Sequence, residues 1–301
     1  MSTLVLALMM QYVVSAKAGL VNYVQGMTNV RANQIVAEMT PIRTGPNGVV
    51  EILLTPGSYL RLGPQSEAVI DNADLANVHV RITGGQAIIE VVEIDNKLPM
   101  FITTGQTAVE LGDAGIFRFQ DGVATVLEGK LRTAGDLRTS YKKGWQISYA
   151  TSYRAVKALQ VQMTSLDLFS RKRSEVLANA SASLLATVRR ASYNVYYPFW
   201  LYSPGLGSMT YIPLRNCRSP YGYRYVGYGV IYNNSGGTNT ATNNGNSSPG
   251  TSGNNNSSNN PGNSGPTFNS SGERTMQTPG GGGRMTVGDY QDKKNPGVPI
   301  P

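Results

Sequence analysis

Residues 39–63 read MTPIRTGPNGVVEILLTPGSYLRLG, short apolar runs closed again and again by glycine or proline. A run of about five residues is long enough for a strand and too short for a stable helix. The rule extends across residues 19–150. Leu20 to Val24, Val49 to Leu54, Tyr59 to Leu62 and Ala68 to Ile70 are apolar runs of this kind. Val78, Val80 and Ile82 alternate with polar residues, the period of a half-buried strand. Ala87 to Ile94 is more continuously apolar, as a strand covered on both faces would be. Phe101-Ile102, Ala108 to Leu111, Ile116 to Phe119 and Val123 to Leu127 continue the series, with Phe117 and Phe119 on one face and Arg118 on the other. Turn signals sit between them at Gly26, Pro46-Asn47-Gly48, Pro56-Gly57, Gly63-Pro64, Gly84-Gly85, Asp121-Gly122 and Gly129. Asp121-Gly122 is the strongest short hairpin signal. Many short strands at regular spacing predict an all-β, many-stranded antiparallel sandwich or β-solenoid.

The pattern then changes. Thr164 to Arg190 carries Phe169, Val176, Leu177, Ala180, Leu184, Leu185 and Val188 on one helical face, and Thr164 with Asp167 has capping-box spacing. This predicts one helix covering an open face of the β-domain. Arg171, Lys172 and Arg173 read as its solvated side. Residues 193–232 are rich in tyrosine, glycine, proline and arginine, and read as an aromatic segment docked on a surface. From Asn233 the chain is almost wholly Asn, Ser, Gly, Thr and Pro, which predicts a disordered tail. At the other end, Leu4 to Val14 is an apolar run of about 11 residues, too short to span a bilayer. Ala16-Lys17-Ala18 after it has the A-x-A form of a signal-peptide cleavage site, so export is expected. The expected divisions are a signal peptide 1–18, a β-domain 19–150, a helical segment 151–192, the Tyr-rich segment 193–232 and the tail 233–301.

Several residues of the β-domain follow a known order. Gly19, Val21, Val24 and Gly26 open it, and Ile42-Arg43-Thr44-Gly45 follows. Glu51, Leu53, Gly57-Ser58, Leu60-Arg61-Leu62 and Ser66 come next. Gly84-Gly85-Gln86-Ala87, Phe101, Thr103-Thr104, Gly115-Ile116-Phe117-Arg118 and Val126-Leu127-Glu128-Gly129 complete it. Together these resemble the FecR-type extracytoplasmic domain of bacterial envelope proteins, over about Gly19 to Tyr149. The usual DGS stands here as Pro56-Gly57-Ser58. The resemblance implies an exported, periplasmic or secreted protein of the envelope without catalytic activity, acting as a binding or scaffold module. The alternative it implies is a cell-surface signalling regulator related to FecR anti-sigma sensors. The helix and Tyr-rich segment resemble the C-terminal half of standalone FecR-domain proteins of Acidobacteria.

Chemistry is sparse. His79 is the sole histidine, so neither a histidine metal cluster nor a Ser-His-Asp triad is available, and no cofactor or metal is expected. Gly205-Leu206-Gly207-Ser208 has no base nearby, and Gly280 to Gly283 lacks the Lys-Ser/Thr of a phosphate loop. Cys217 is the only cysteine, which excludes an intrachain disulfide. A carbohydrate-active enzyme would need two facing carboxylates among Glu51, Glu67, Glu90, Glu93, Glu110 and Glu128; Glu51 and Glu110 read instead as solvating the outer face. The net charge of +8 favours acidic partners. The candidate partner-binding residues are Tyr221, Tyr223, Arg224, Tyr225 and Tyr228, whose rings and guanidinium suit a protein or polysaccharide of the envelope. Export argues against nucleic acid.

Overall fold

The computed structural model describes residues 12–13, 17–133, 136–149, 153–158, 160–190 and 196–229. The expected tail, 233–301, and most of the leader lie outside the described residues. In chain order the strands are β1 (Tyr12–Val13), β2 (Leu20–Gln25), β3 (Pro41–Arg43), β4 (Val49–Leu53), β5 (Ser58–Leu62), β6 (Glu67–Asn72), β7 (His79–Gly84) and β8 (Gln86–Val91). There follow β9 (Met100–Thr104), β10 (Thr107–Leu111), β11 (Gly115–Gln120), β12 (Val123–Glu128), β13 (Lys130–Thr133), β14 (Asp136–Lys142), β15 (Trp145–Tyr149) and β16 (Tyr153–Lys157). The helix α1 (Ser165–Arg190) precedes β17 (Phe199–Ser203), β18 (Ser208–Ile212), β19 (Cys217–Arg218) and β20 (Arg224–Tyr225).

Two sheets dominate. One has eight strands in the order β2-β4-β5-β8-β11-β12-β15-β16, the other seven in the order β3-β6-β7-β9-β10-β13-β14. Both orders are the sequence order. The chain lays one or two strands on one sheet, crosses to the other, and advances along a single axis. The two fold expectations therefore merge: the layers are those of a sandwich, and the winding is progressive like that of a solenoid. All pairings within the two sheets are antiparallel except β7 with β9. Alternation sets the core. Val50, Ile52, Leu60, Leu62, Ile89, Phe117 and Phe119 from one sheet meet Ile70, Val80, Ile82, Ile102, Val109 and Leu131 from the other. Asp121-Gly122 makes the two-residue hairpin, with Gln120 paired to Val123 and both turn residues at positive φ (52° and 75°).

The eight-stranded sheet is covered on its second face as well. There α1 and the β17–β18 hairpin pack over Leu53, Tyr59 and Val92, joined by Leu177, Trp200, Tyr211 and Tyr225. Thr164 and Asp167 form the expected capping box: the Thr164 N–H donates to Asp167 Oδ2 at 2.6 Å and the Asp167 N–H to Thr164 Oγ1 at 3.3 Å. Three expectations need correction, the first two because of this second cover. Glu51 is wholly buried, because α1 lies on the face it occupies. Arg173 is buried for the same reason, whereas Arg171 and Lys172 are exposed. Glu110 is also buried, paired with Arg132 at 3.1 Å. The β-structure runs past residue 150, since β16 is the last strand of the eight.

Candidate functional site

On β5, Leu60 and Leu62 face the sandwich, which turns Tyr59 and Arg61 to the opposite side. Glu51 on β4 and Glu90 on β8 flank Arg61 on that side. Its Nε donates to Glu51 Oε2 at 2.8 Å and its Nη1 to Glu90 Oε2 at 2.6 Å, with all three side chains fully buried. The helix completes the cluster. Arg61 donates to Ser170 Oγ (2.7 Å), Ser174 Oγ donates to Glu90 Oε1 (2.6 Å), and Arg173 donates to Glu51 Oε1 (3.0 Å). Asn22 of β2 donates to Glu51 at 2.8 Å and exchanges bonds with the Met209 backbone of β18. Two carboxylates and two guanidiniums thus tie β2, β4, β5, β8, α1 and the hairpin together with no formal net charge. The Arg173 guanidinium also lies 4.6 Å from the centre of the Tyr23 ring.

The two carboxylates differ in environment. Burial pushes Glu51 up, but the Arg173 and Arg61 charges, with hydrogen bonds from Arg61 and Asn22, outweigh it and hold its pKa below the usual range. Burial raises Glu90; Arg61 and Ser174 oppose that without overcoming it, and the Glu51 charge adds to the rise. Neither acid can meet a substrate. A glycosidase needs its carboxylates in an open cleft, and these two are sealed under α1.

The remaining motif residues are equally occupied. Thr44 Oγ1 donates to Gly63 O at 2.6 Å and accepts the Ser66 N–H at 2.8 Å. Ser66 Oγ in turn accepts the Gln86 N–H at 2.9 Å. Gly85, at φ +69°, lies so close to Ser66 that a Cβ there would meet its side chain and backbone. These residues fasten turns between the two sheets.

The five candidate tyrosine-segment residues divide. Tyr225 is fully buried against Tyr211, and Tyr228 is buried against Leu185, Val188 and Ile212. Tyr223 is half-buried beside the same aromatic cluster as Tyr225. Tyr221 donates to Ser170 Oγ at 2.9 Å, and Arg224 is exposed. Tyr221 with Pro220 forms one wall of an open groove of about 510 Å³. Ile116, Val126 and Leu127 of the sheet, the Glu128 and Lys143 side chains, Met163 before α1 and Arg171 on it are among the residues of its other walls. Burial pushes the Tyr221 hydroxyl up to about 12, so it is a neutral donor at ordinary pH. His79 sits on β7 against Asn77 and Phe101. The Cys217 thiol is raised to about 12 by burial and the nearby Glu93 charge. No group of three or more metal-ligating side chains occurs among the described residues.

Sequence reasoning named Glu90 and Arg173 without placing them in this cluster, and it did not name Ser170, Ser174 or Asn22. A signal was present in α1: Ser170, Ser174, Ala178 and Ser181, spaced three or four apart, are all buried. Small side chains at that spacing let a helix lie close on a sheet.

Comparison with known proteins agrees with the motif reading. Residues 40–132 match the family model described as FecR protein. No curated protein matches the chain. Two crystal structures of a putative anti-sigma factor from Parabacteroides distasonis ATCC 8503 are similar, at 16% and 15% identity. Each match covers 40% of this chain and 60% of that one, with a TM-score of 0.33.

Proposed function

We propose that this chain, whose residues 40–132 form a FecR domain, is a signalling regulator of the bacterial envelope, coupling an outer-membrane signal inward without catalysis. The match to FecR over the strands that build the platform is the observation that carries this reading. The site chemistry supports it: the motif residues Thr44, Glu51, Arg61 and Ser66 are consumed in holding layers together. What is left for recognition is surface. The A-x-A sequence at Ala16-Lys17-Ala18 supports export to the periplasm or cell surface. No helix among the described residues is long and apolar enough to cross a membrane.

A second reading, a binding or scaffold module for an envelope protein or polysaccharide, is favoured by the Tyr221 groove and the exposed Arg224. Tyr223 adds a half-buried ring nearby. Nucleic acid is not the proposed partner under either reading. The test is transcript profiling of a strain lacking the gene and of the same strain complemented with the full chain. A regulator shifts a defined set of transcripts and complementation restores them. A flat profile with altered envelope integrity refutes regulation and favours the scaffold.

A further inference from the structure

The two residues of β1 occupy an informative place. Tyr12 pairs with Leu201 and Val13 with Trp200, so a stretch of the apolar N-terminal run lies antiparallel along β17. On its other side β17 is paired over all five residues with β18, from Phe199–Ile212 to Ser203–Ser208. Its side chains are committed on both faces. Trp200 packs with Tyr59 and Tyr211 on one, while Phe199 and Leu201 pack with Leu185 and Val188 on the other. The hairpin is further tied to β2 and α1 through Asn22–Met209 and through Thr210, whose hydroxyl donates to Leu177 O at 2.6 Å. What β17 offers the β1 side is therefore main chain, on a strand that cannot shift to hide it.

We propose that this edge of β17 is a strand-acceptor site for an extended apolar segment of a protein partner, and that residues 12–13 hold the place in cis. The inference rests on the reading of an exported envelope regulator, because processing at the A-x-A sequence removes β1 from the folded chain. The sandwich keeps its first strand: Gly19 N–H donates to Leu53 O at 2.9 Å and Val36 N–H to Gly19 O at 2.9 Å, and processing gives up the Ala18 N–H bond to Ala73 O and the small buried Ala18 side chain. The occupant is argued from β1, which shows the direction of pairing and belongs to an apolar run of the sequence. A ladder of alternating N–H and C=O groups is matched along its whole length by the repeat of another peptide strand, so the site favours a protein over a polysaccharide.

The test uses the full chain expressed with its own leader and recovered from the periplasm, with its N-terminus read by intact mass. The probe is the synthetic peptide MMQYVVS, residues 9–15. The expected result is a processed chain that binds the peptide saturably, with slowed amide exchange confined to β17. The same peptide N-methylated at the Tyr12 and Val13 nitrogens should bind about tenfold more weakly, since methylation removes ladder bonds and keeps the side chains. A processed chain with no protection at β17 overturns the proposal, and so does equal binding of the methylated peptide. A mature protein that keeps its leader overturns it too, because the edge is then filled permanently in cis. A flat transcript profile, in contrast, defeats only the regulatory reading.

Discussion

Arg61 carries its charge where no solvent reaches, between two carboxylates equally removed from water. Burial pulls its pKa down, and Glu90 and Glu51 more than reverse that. Removing the guanidinium leaves Glu90 without a cation in bonding distance, while Glu51 keeps Arg173. Arg61→Met should therefore lower unfolding stability in urea by about 3–5 kcal/mol, because the buried Glu90 is left either charged and unpaired or forced to take up a proton. A loss below about 1 kcal/mol would show that the cluster is not what locks the helix. The pH dependence has two signs. Glu90 is raised in the folded state, so the folded chain holds a proton that the unfolded chain has released. Stability therefore falls as pH rises from the ordinary carboxylate pKa of 4.5 through the folded value. Glu51 is lowered, so its contribution is present above 4.5 and is lost as pH falls through its folded value. Glu90→Gln should flatten the decline above pH 4.5 and leave the acid limb in place. Urea midpoints across that range decide it, and an unchanged slope above 4.5 contradicts the assignment. Cys217 gives a simpler readout. With its thiol raised to about 12, iodoacetamide at pH 8 should alkylate the native chain far more slowly than the urea-unfolded chain. Equal rates would show the thiol to be ordinary.

The start of α1 shows how much an element owes to a few atoms. Asp167 Oδ2 accepts from the Thr164 N–H and hydroxyl and from Arg118 Nη1 at 2.7 Å, while Arg118 also donates to Gln162 O. One carboxylate thus caps the helix and pins it to β11. Thr164→Ala should cost about 1 kcal/mol, the worth of a cap. Asp167→Ala should cost more, about 3 kcal/mol, because it also strands a nearly buried guanidinium. Equal losses in thermal melts would mean that the ion pair contributes nothing. The sequence made the helix legible through its apolar period and through the Thr164–Asp167 spacing. It made the strands legible through short runs and turn residues. What it hid was the second cover. In β5, the order Tyr59-Leu60-Arg61-Leu62 alternates like a strand with one wet face, and nothing local reveals that a helix more than a hundred residues later lies on that face. The same blindness put Glu51 and Arg173 in water. The tyrosine segment was legible as a docked aromatic stretch. Which rings turned inward was decided by α1 and the hairpin, so Tyr225 and Tyr228 could not be separated from Tyr221 by composition.

Two layers rest on the eight-stranded sheet, one apolar inside the sandwich and one mixed beneath α1, and the sheet is common to both. Their coupling can be read because the chain has two tryptophans. Trp145 packs against the sandwich core, with Tyr141 at a ring distance of 5.5 Å, whereas Trp200 is fully buried in the outer layer, 5.1 Å from Tyr59. Trp200→Phe leaves a reporter of the sandwich, and Trp145→Phe leaves a reporter of the outer layer. The Arg61–Glu51–Glu90–Arg173 cluster spans both, since its carboxylates rise from strands whose alternate residues form the sandwich core. An outer layer that came away alone would expose four charges already paired, at little electrostatic gain, and would also strip water-excluded aromatic surface. Such a layer should not separate before the sandwich. In each variant, then, the fluorescence midpoint in urea should coincide with the midpoint from far-ultraviolet circular dichroism, the signature of one cooperative unit. Comparing two probes within one variant removes the effect of the substitution itself. If the outer-layer reporter melts well before the circular dichroism, α1 and the hairpin are a detachable cover, and the cluster is a latch that opens under mild stress.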